Sequence, residues 1–483
     1  MTEGVRRKLE LVDMKVWVAV FMVFSFVCSG GFGIEDMISG SGPGFALLLL
    51  LILPFLWGLP QALVCSELGS AIPEDGGLYR WSRRANGEFW GFQTGWWWVL
   101  SIFVDSAVYI ALTVDYAQSW FGLSDLERWL LAVVLIAIFA YVNIRGLQLA
   151  AWVLVVLQIV VLVPFVGLAV FGLTHWRFDP FHPILLPGVS LIGGVGVALS
   201  VGIWMYSGFE SLSTMAGEIK RPQRVIPRAL MITLPVVLCF YVLSTMGGMA
   251  AVGHWADWGT SDATYDFMGV GLQVGGQTLR YLFFAAMLAG NFALFIAFLA
   301  AGARPSYVLS KDKLMPKFLG KESRYGTPWV AILVMAGVDA LLVRWGFATL
   351  IVIDVFLLML AHITIYISAM RLRVKQPDLP RPFKVKLGTK AFIAMCCVPI
   401  TVAVLAMSPF GNGWNYFVGG AIAALTGPVA YVIFKKVYKG TELPPIGCDE
   451  MGEKATAAGV AGADAPAMAT PATEAPFPAT TGR

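Results

Sequence analysis

Twelve runs of about 20 apolar residues, each long enough to cross the hydrocarbon of a bilayer as a helix, follow one another between residues 16 and 436. A chain patterned in this way cannot fold around a single water-soluble core. With 58% hydrophobic and only 13% charged residues, it also lacks the polar surface to do so. We read it as an all-α membrane protein with 12 transmembrane helices, at roughly 16–38, 45–70, 88–120, 129–147, 150–173, 191–216, 229–252, 279–309, 327–346, 348–370, 391–408 and 414–436. Positively charged loops stay in the cytoplasm. With both termini inside, all of the 34 Lys and Arg except Arg128, Arg177, Arg280 and Arg344 fall on cytoplasmic segments. The net charge of +4 therefore reports topology, and nucleic acid is not an expected partner.

Within the first run, glycines and acids interrupt what would otherwise be an uninterrupted span: Ser29-Gly30-Gly31-Phe32-Gly33-Ile34-Glu35-Asp36. Glycine weakens a helix, and a carboxylate near the bilayer centre costs at least about 2.5 kcal/mol on insertion scales. Membrane proteins accept both faults where a broken helix lines a cavity. A second interruption, Trp204-Met205-Tyr206-Ser207-Gly208-Phe209-Glu210, falls in the sixth run. Breaks in runs one and six are where two inverted five-helix repeats would each place their first helix, around a site at mid-membrane.

The expected organisation is a cytoplasmic head at 1–15, a ten-helix transport core at 16–371, a cytoplasmic loop at 372–390, helices eleven and twelve at 391–436, and a cytoplasmic, largely disordered tail at 437–483. The first run is too long for a signal peptide and lacks a small-residue cleavage site, so it is expected to stay as a membrane helix. Five cysteines, at 28, 65, 239, 396 and 397, sit in apolar runs and Cys448 in the tail, so no disulfide-linked heavy chain is expected. His175, His182, His254 and His362 have no metal-like spacing, and packed or solvated roles are expected of them. There is no phosphate-binding glycine loop and no nucleophile–base pairing. Neither metal, cofactor nor enzymatic activity is expected.

Seven acids stand at membrane depth: Glu35, Asp36, Glu67, Asp105, Asp115, Glu210 and Asp354. The apolar runs offer no deep Lys or Arg to neutralise them, so the expectation is protonation or a cation that comes and goes. A substrate with two ammonium groups and an apolar middle suits this excess of acid better than an amino acid, whose α-carboxylate would be repelled. Glu35 is expected to face the site and Asp36, about 100° further round the helix, to cap it. Glu210 is its counterpart in the other break. Asp105 is placed to bind a distal amine or carry a proton, with Tyr109 one turn on, and Trp204 to cover the substrate by cation–π attraction, about 0.5–2 kcal/mol. Asp115 is expected at the outer mouth and Glu67 near an inner gate. Asp354 stands alone on helix ten.

The stretches SGGFGIED (29–36), LPFLWGLPQALVCSELGSAIPEDGG (53–77), FWGFQTGWWW (89–98), DSAVYIALTVDY (105–116), ESLSTMAGEI (210–219), SRYGTP (323–328) and PDLPRPFKV (377–385) together resemble the amino acid/polyamine/organocation transporters. The likeness is greatest to the polyamine uptake transporters of plants and trypanosomatid parasites. The resemblance implies a LeuT-like 5+5 inverted repeat with discontinuous helices 1 and 6, and proton-coupled uptake by alternating access; the plasma membrane is the expected location, with an organellar membrane as the alternative. It places the substrate between helices one, three, six and eight. By position Trp204 matches a family aromatic at the site and Glu210 its acidic residue on helix six; with the residues themselves, the expected substrate-binding set is Gly30, Gly31, Gly33, Glu35, Asp105, Tyr109, Trp204, Tyr206, Gly208 and Glu210, with Glu35, Asp105 and Glu210 as candidates for the coupling proton. Plant relatives look richer in acid on helix eight, so Asn291 and Phe292 are expected to bear on substrate length. Some proton-coupled relatives use a lysine on helix five where this chain has Gln158. The expected partners are a polyamine or similar organic cation and H+. The alternatives are a cationic amino acid carrier or exchanger for arginine or lysine, and a ligand-binding membrane sensor.

Overall fold

The computed structural model describes residues 12–28, 30–189, 191–259, 265–344, 347–408 and 414–438. Ser29, Arg6, Arg7, Lys8, Asp262, Cys448 and the expected tail beyond 438 lie outside these residues. The regular structure is helical: α1 (Val16–Val27), α2 (Ile34–Ser41), α3 (Pro43–Leu53), α4 (Leu59–Ala71), α5 (Leu78–Asn86), α6 (Glu88–Phe121), α7 (Asp125–Ile144) and α8 (Leu147–Thr174). There follow α9 (Leu191–Met205), α10 (Pro222–Ala251), α11 (Phe267–Lys311), α12 (Trp329–Leu342), α13 (Phe347–Lys375), α14 (Thr389–Met407) and α15 (Trp414–Tyr438). Among the described residues nine helices are long and apolar enough to cross a membrane, with α3 and α4 counted as one through the π-turn Pro54–Gly58. The other expected spans fall on shorter pieces: α1 with α2, α9, and the 14-residue α12.

Two features were not in the sequence reading. The turn after α4 runs into the amphipathic α5, which buries Leu78 and Trp81 beneath its basic face. The expected external loop 253–277 is helical from Phe267, where Asp266 caps α11 by accepting from the Gly269 N–H at 2.6 Å. A kink at Gly275–Gly276 then turns the helix into its long run.

At the centre of the fold α6 packs against α11 and α13, and α8 against α10 and α11. Both expected breaks are present. Helix α1 stops at Val27 and α2 restarts at Ile34, with Gly30 at φ +117° and Gly33 at φ +100° between them. Helix α9 stops at Met205 and continues only as a 3-10 stretch, Ser211–Glu218, with Gly208 at φ +110°. The two breaks touch: a Cβ on Gly208 would stand 2.5 Å from the Phe26 carbonyl oxygen. Gly208→Ala therefore meets both a backbone clash and a left-handed φ, for a loss of about 1–3 kcal/mol from the conformation alone. A lower melting temperature of the purified variant is the expected reading, and unchanged melting would show that the junction yields.

The 3-10 stretch is tied down from two directions. Val12 donates to the Glu218 carbonyl at 2.7 Å and accepts from the Lys220 N–H at 2.9 Å, forming an isolated bridge. Glu218 in turn forms a buried ion pair with Arg304 of α11, at 2.5 and 2.8 Å. Asp75, half-buried in the α4–α5 loop, accepts from the Gly217 N–H at 3.0 Å. Burial, and then repulsion from Glu218, push its carboxyl up to about 7, against the pull of Arg304. A carboxyl raised in this way lends stability that is complete below about pH 4, its unfolded value, and is lost as pH rises through about 7. Asp75→Asn should thus gain in melting temperature on the wild type between about pH 4 and 7 and hold that gain above. A difference that stays flat with pH would refute this.

Candidate functional site

The two breaks, with α6, α10, α11 and α13, line a cavity of about 110 Å³. Gly30 and Gly33 line it from the first break, Trp204, Gly208 and Glu210 from the second, and Asp105 and Tyr109 from α6. Asn291 reaches it from α11. Those expected site residues therefore meet in one place although the sequence separates them by up to about 260 positions.

Asp105 is 6% exposed and accepts from the Tyr109 hydroxyl at 2.8 Å. Tyr109 stacks on Phe298 at 5.9 Å, so the carboxyl sits within an aromatic wall. Glu210, 1% exposed, accepts from Gln61 of α4 at 2.7 Å and Trp98 of α6 at 3.1 Å, and lies 3.3 Å from His362 of α13. A buried carboxylate is tolerated when its oxygens are satisfied this fully.

Several expectations need correction. Glu35 was expected to face the site with Asp36 as a cap; it is Asp36 that lines the cavity. The Glu35 carboxylate instead accepts from the Gly33 N–H at 2.8 Å and from the Phe267 N–H at 3.2 Å. It thus pins the first break to the first turn of α11, where a helix N-terminus favours negative charge. Gly31 packs towards Phe165 and Phe267, outside the cavity lining. Tyr206 donates to the Leu50 carbonyl at 2.9 Å, and Phe292 faces Phe139 at 4.9 Å between ring centroids.

Nor are the acids all without basic partners. Asp115 pairs with Arg128 at 2.5 Å. Glu67 is gripped by Arg373 of α13, at 2.5 and 2.6 Å, and by Arg381 of the following loop at 3.1 Å. A carboxylate held by two guanidiniums anchors structure, so Glu67 joins α4 to that loop. Asp354 is not isolated either: it accepts from Ser101 of α6, and Asp339 of α12 accepts from Ser106 at 3.0 Å. The sequence reading passed over Asp339, and it gave His362, Gln61 and Trp98 no part in a site.

A family model described as amino acid permease matches residues 14–426. The chain belongs to the amino acid permease family. The family is one of membrane transporters, as the long apolar helices of this permease require. A probable polyamine transporter of Arabidopsis thaliana is 34% identical to the permease over 402 residues, 80% of this chain and 78% of that one. The polyamine transporter PUT1 of Oryza sativa subsp. japonica is 32% identical over 399 residues, covering 80% and 73%. The serine/threonine exchanger SteT of Bacillus subtilis is 25% identical over 307 residues, covering 60% and 67%.

Proposed function

We propose that this permease carries polyamines such as putrescine and spermidine, bound between the two helix breaks and delivered by alternating access. The observation that carries the proposal is a cavity lined by Asp36, Asp105 and Glu210 and, among the described residues, by no lysine or arginine. One ammonium of the substrate meets Asp105 and the other meets Glu210. Trp204, Tyr109 and Phe298 cover the methylenes and add cation–π attraction at the ammonium ends. An α-carboxylate entering beside three carboxyls would be repelled, which separates the substrate from arginine or lysine. The relatives named as polyamine transporters support the same reading.

The carrier has 12 spans with a 5+5 inverted repeat, a transport core at 16–371, and both termini in the cytoplasm of a plasma-membrane protein. Import is driven by the membrane potential, about 2.3 kcal/mol per charge per 100 mV, and coupled to protons. Asp115 with its partner Arg128 stands at the outer mouth, and the residues around Glu67 and Asp75 hold the inner side closed.

Labelled putrescine and spermidine, offered to vesicles holding the purified protein at an inside-negative potential, test the reading. Saturable uptake blocked by agmatine but not by arginine is the expected result. Saturable arginine uptake without polyamine uptake would make the protein a cationic amino acid carrier.

A further inference from the structure

The cluster behind Glu210 contains more than a cation ligand needs. His362, 1% exposed, has its Nδ1 at 2.8 Å from the Leu358 carbonyl oxygen. A carbonyl only accepts, so Nδ1 carries a hydrogen in either protonation state of the ring. The other nitrogen, Nε2, faces the Glu210 carboxylate at 3.3 Å and, in closer contact, the amide nitrogen of Gln61. That amide also donates to Glu210 at 2.7 Å, which leaves Gln61 Oε1 buried with no partner among the described residues.

Two arrangements fit these atoms. With Nε2 bare, the two amide hydrogens of Gln61 serve the imidazole and the carboxylate, and Glu210 keeps its full negative charge. With Nε2 protonated, two donors would collide there. A turn of the amide relieves the collision by presenting the orphaned Oε1 to the new N–H; it also withdraws the Gln61 donor from Glu210, and the imidazolium N–H, 3.3 Å away, takes over that role and cancels the charge. The buried acceptor without a donor is the atom that the second arrangement would use. Imidazole is the side chain best suited to pass between such states in the neutral range.

We propose that His362 is a proton site that sets the charge Glu210 presents to the cavity, so that a proton on Nε2 and a substrate ammonium at Glu210 exclude one another. When the ammonium arrives, Nε2 gives its proton to water and the ammonium takes over the pairing with Glu210. When the substrate leaves, a proton returns from water to Nε2. The empty carrier then crosses back with Glu210 neutralised. A dication moving in against one proton moving out still carries net positive charge inward, so the membrane potential drives the cycle. The proposal rests on the reading of Glu210 as a cation ligand.

Other titratable groups face this cluster: Cys65 from α4, Asp105 from α6, and Asp354 and Tyr366 from α13 itself, with Cys396 of α14 behind Tyr366. Any test has to separate the imidazole from the two carboxyls. Putrescine binding to the purified full-length protein, followed by calorimetry from about pH 5.5 to 8.5 in two buffers of different ionisation enthalpy, does so. In the wild type the Kd should weaken by up to tenfold per pH unit at the acid end, with about one proton released per substrate bound there. In His362→Gln the pH slope of log Kd at the acid end and the number of protons released per substrate should each fall by up to about one relative to the wild type. An unchanged pH slope in His362→Gln would assign the proton to Asp105 or Asp354 and overturn the proposal. If that variant does not fold, wild-type binding without proton release overturns it as well. In both cases binding itself leaves the polyamine reading standing, whereas a wild type that binds no putrescine at any pH removes that reading too.

Discussion

Glu210→Gln lowers kcat/KM for putrescine uptake in vesicles by about 30- to 1,000-fold, the 2–4 kcal/mol expected when one partner of a buried, hydrogen-bonded charge pair is lost. The substitution keeps the shape of the side chain and one acceptor oxygen, for Trp98; its amide nitrogen then faces Gln61, whose unpartnered Oε1 can turn to accept from it, so the cluster at the second break still packs. What disappears is the charge that meets the ammonium. Because the loss lies in the interaction and not in the fold, the variant should purify as a single species with near wild-type melting. Asp105→Asn, which preserves the acceptor for Tyr109, provides the companion measurement. Uptake within about threefold of wild type in the Glu210 variant would mean that the cation is held elsewhere in the cavity.

Arg304→Met destabilises the protein by about 3–5 kcal/mol, because it leaves Glu218 charged, buried and without its guanidinium. Both members of the pair are 2% exposed, so water cannot replace the lost partner. Arg304 also donates to the Ala300 carbonyl, one turn earlier on α11. The double variant Arg304→Met with Glu218→Gln removes the stranded charge and should recover most of the loss, as replacement of both members of a buried pair often does. Thermal unfolding of the two variants side by side is the measurement. Equal destabilisation in both would locate the effect in packing around the arginine and not in the uncompensated carboxylate.

The helical architecture and the two breaks were legible because each is written in a short stretch. Apolar runs of membrane length leave few alternatives, and glycines followed by an acid inside such a run have a local physical meaning. The split of roles between Glu35 and Asp36 was not legible. A 100° rotation says that only one can face the cavity, but the choice is made by the first turn of α11, whose Phe267 N–H lies 232 positions away. The partners of Glu67 were hidden for the same reason, since Arg381 reaches it from a loop that folds back across α4 and α13. His362 looked like a lone histidine in an apolar run. Only the fold shows that its ring stands between Gln61 and Glu210. Contacts of long sequence separation decided each of these points, and no local pattern encodes them.

The bridge at Val12 has a practical side. The backbone bonds at 2.7 and 2.9 Å join the segment ahead of α1 to the chain leaving the second break, so the two broken elements are tied here as well as at the close approach of Gly208 to Phe26. Loss of Val12 would therefore release the 3-10 stretch on that side. A truncation that spares Val12 spares this join, and one that removes it does not.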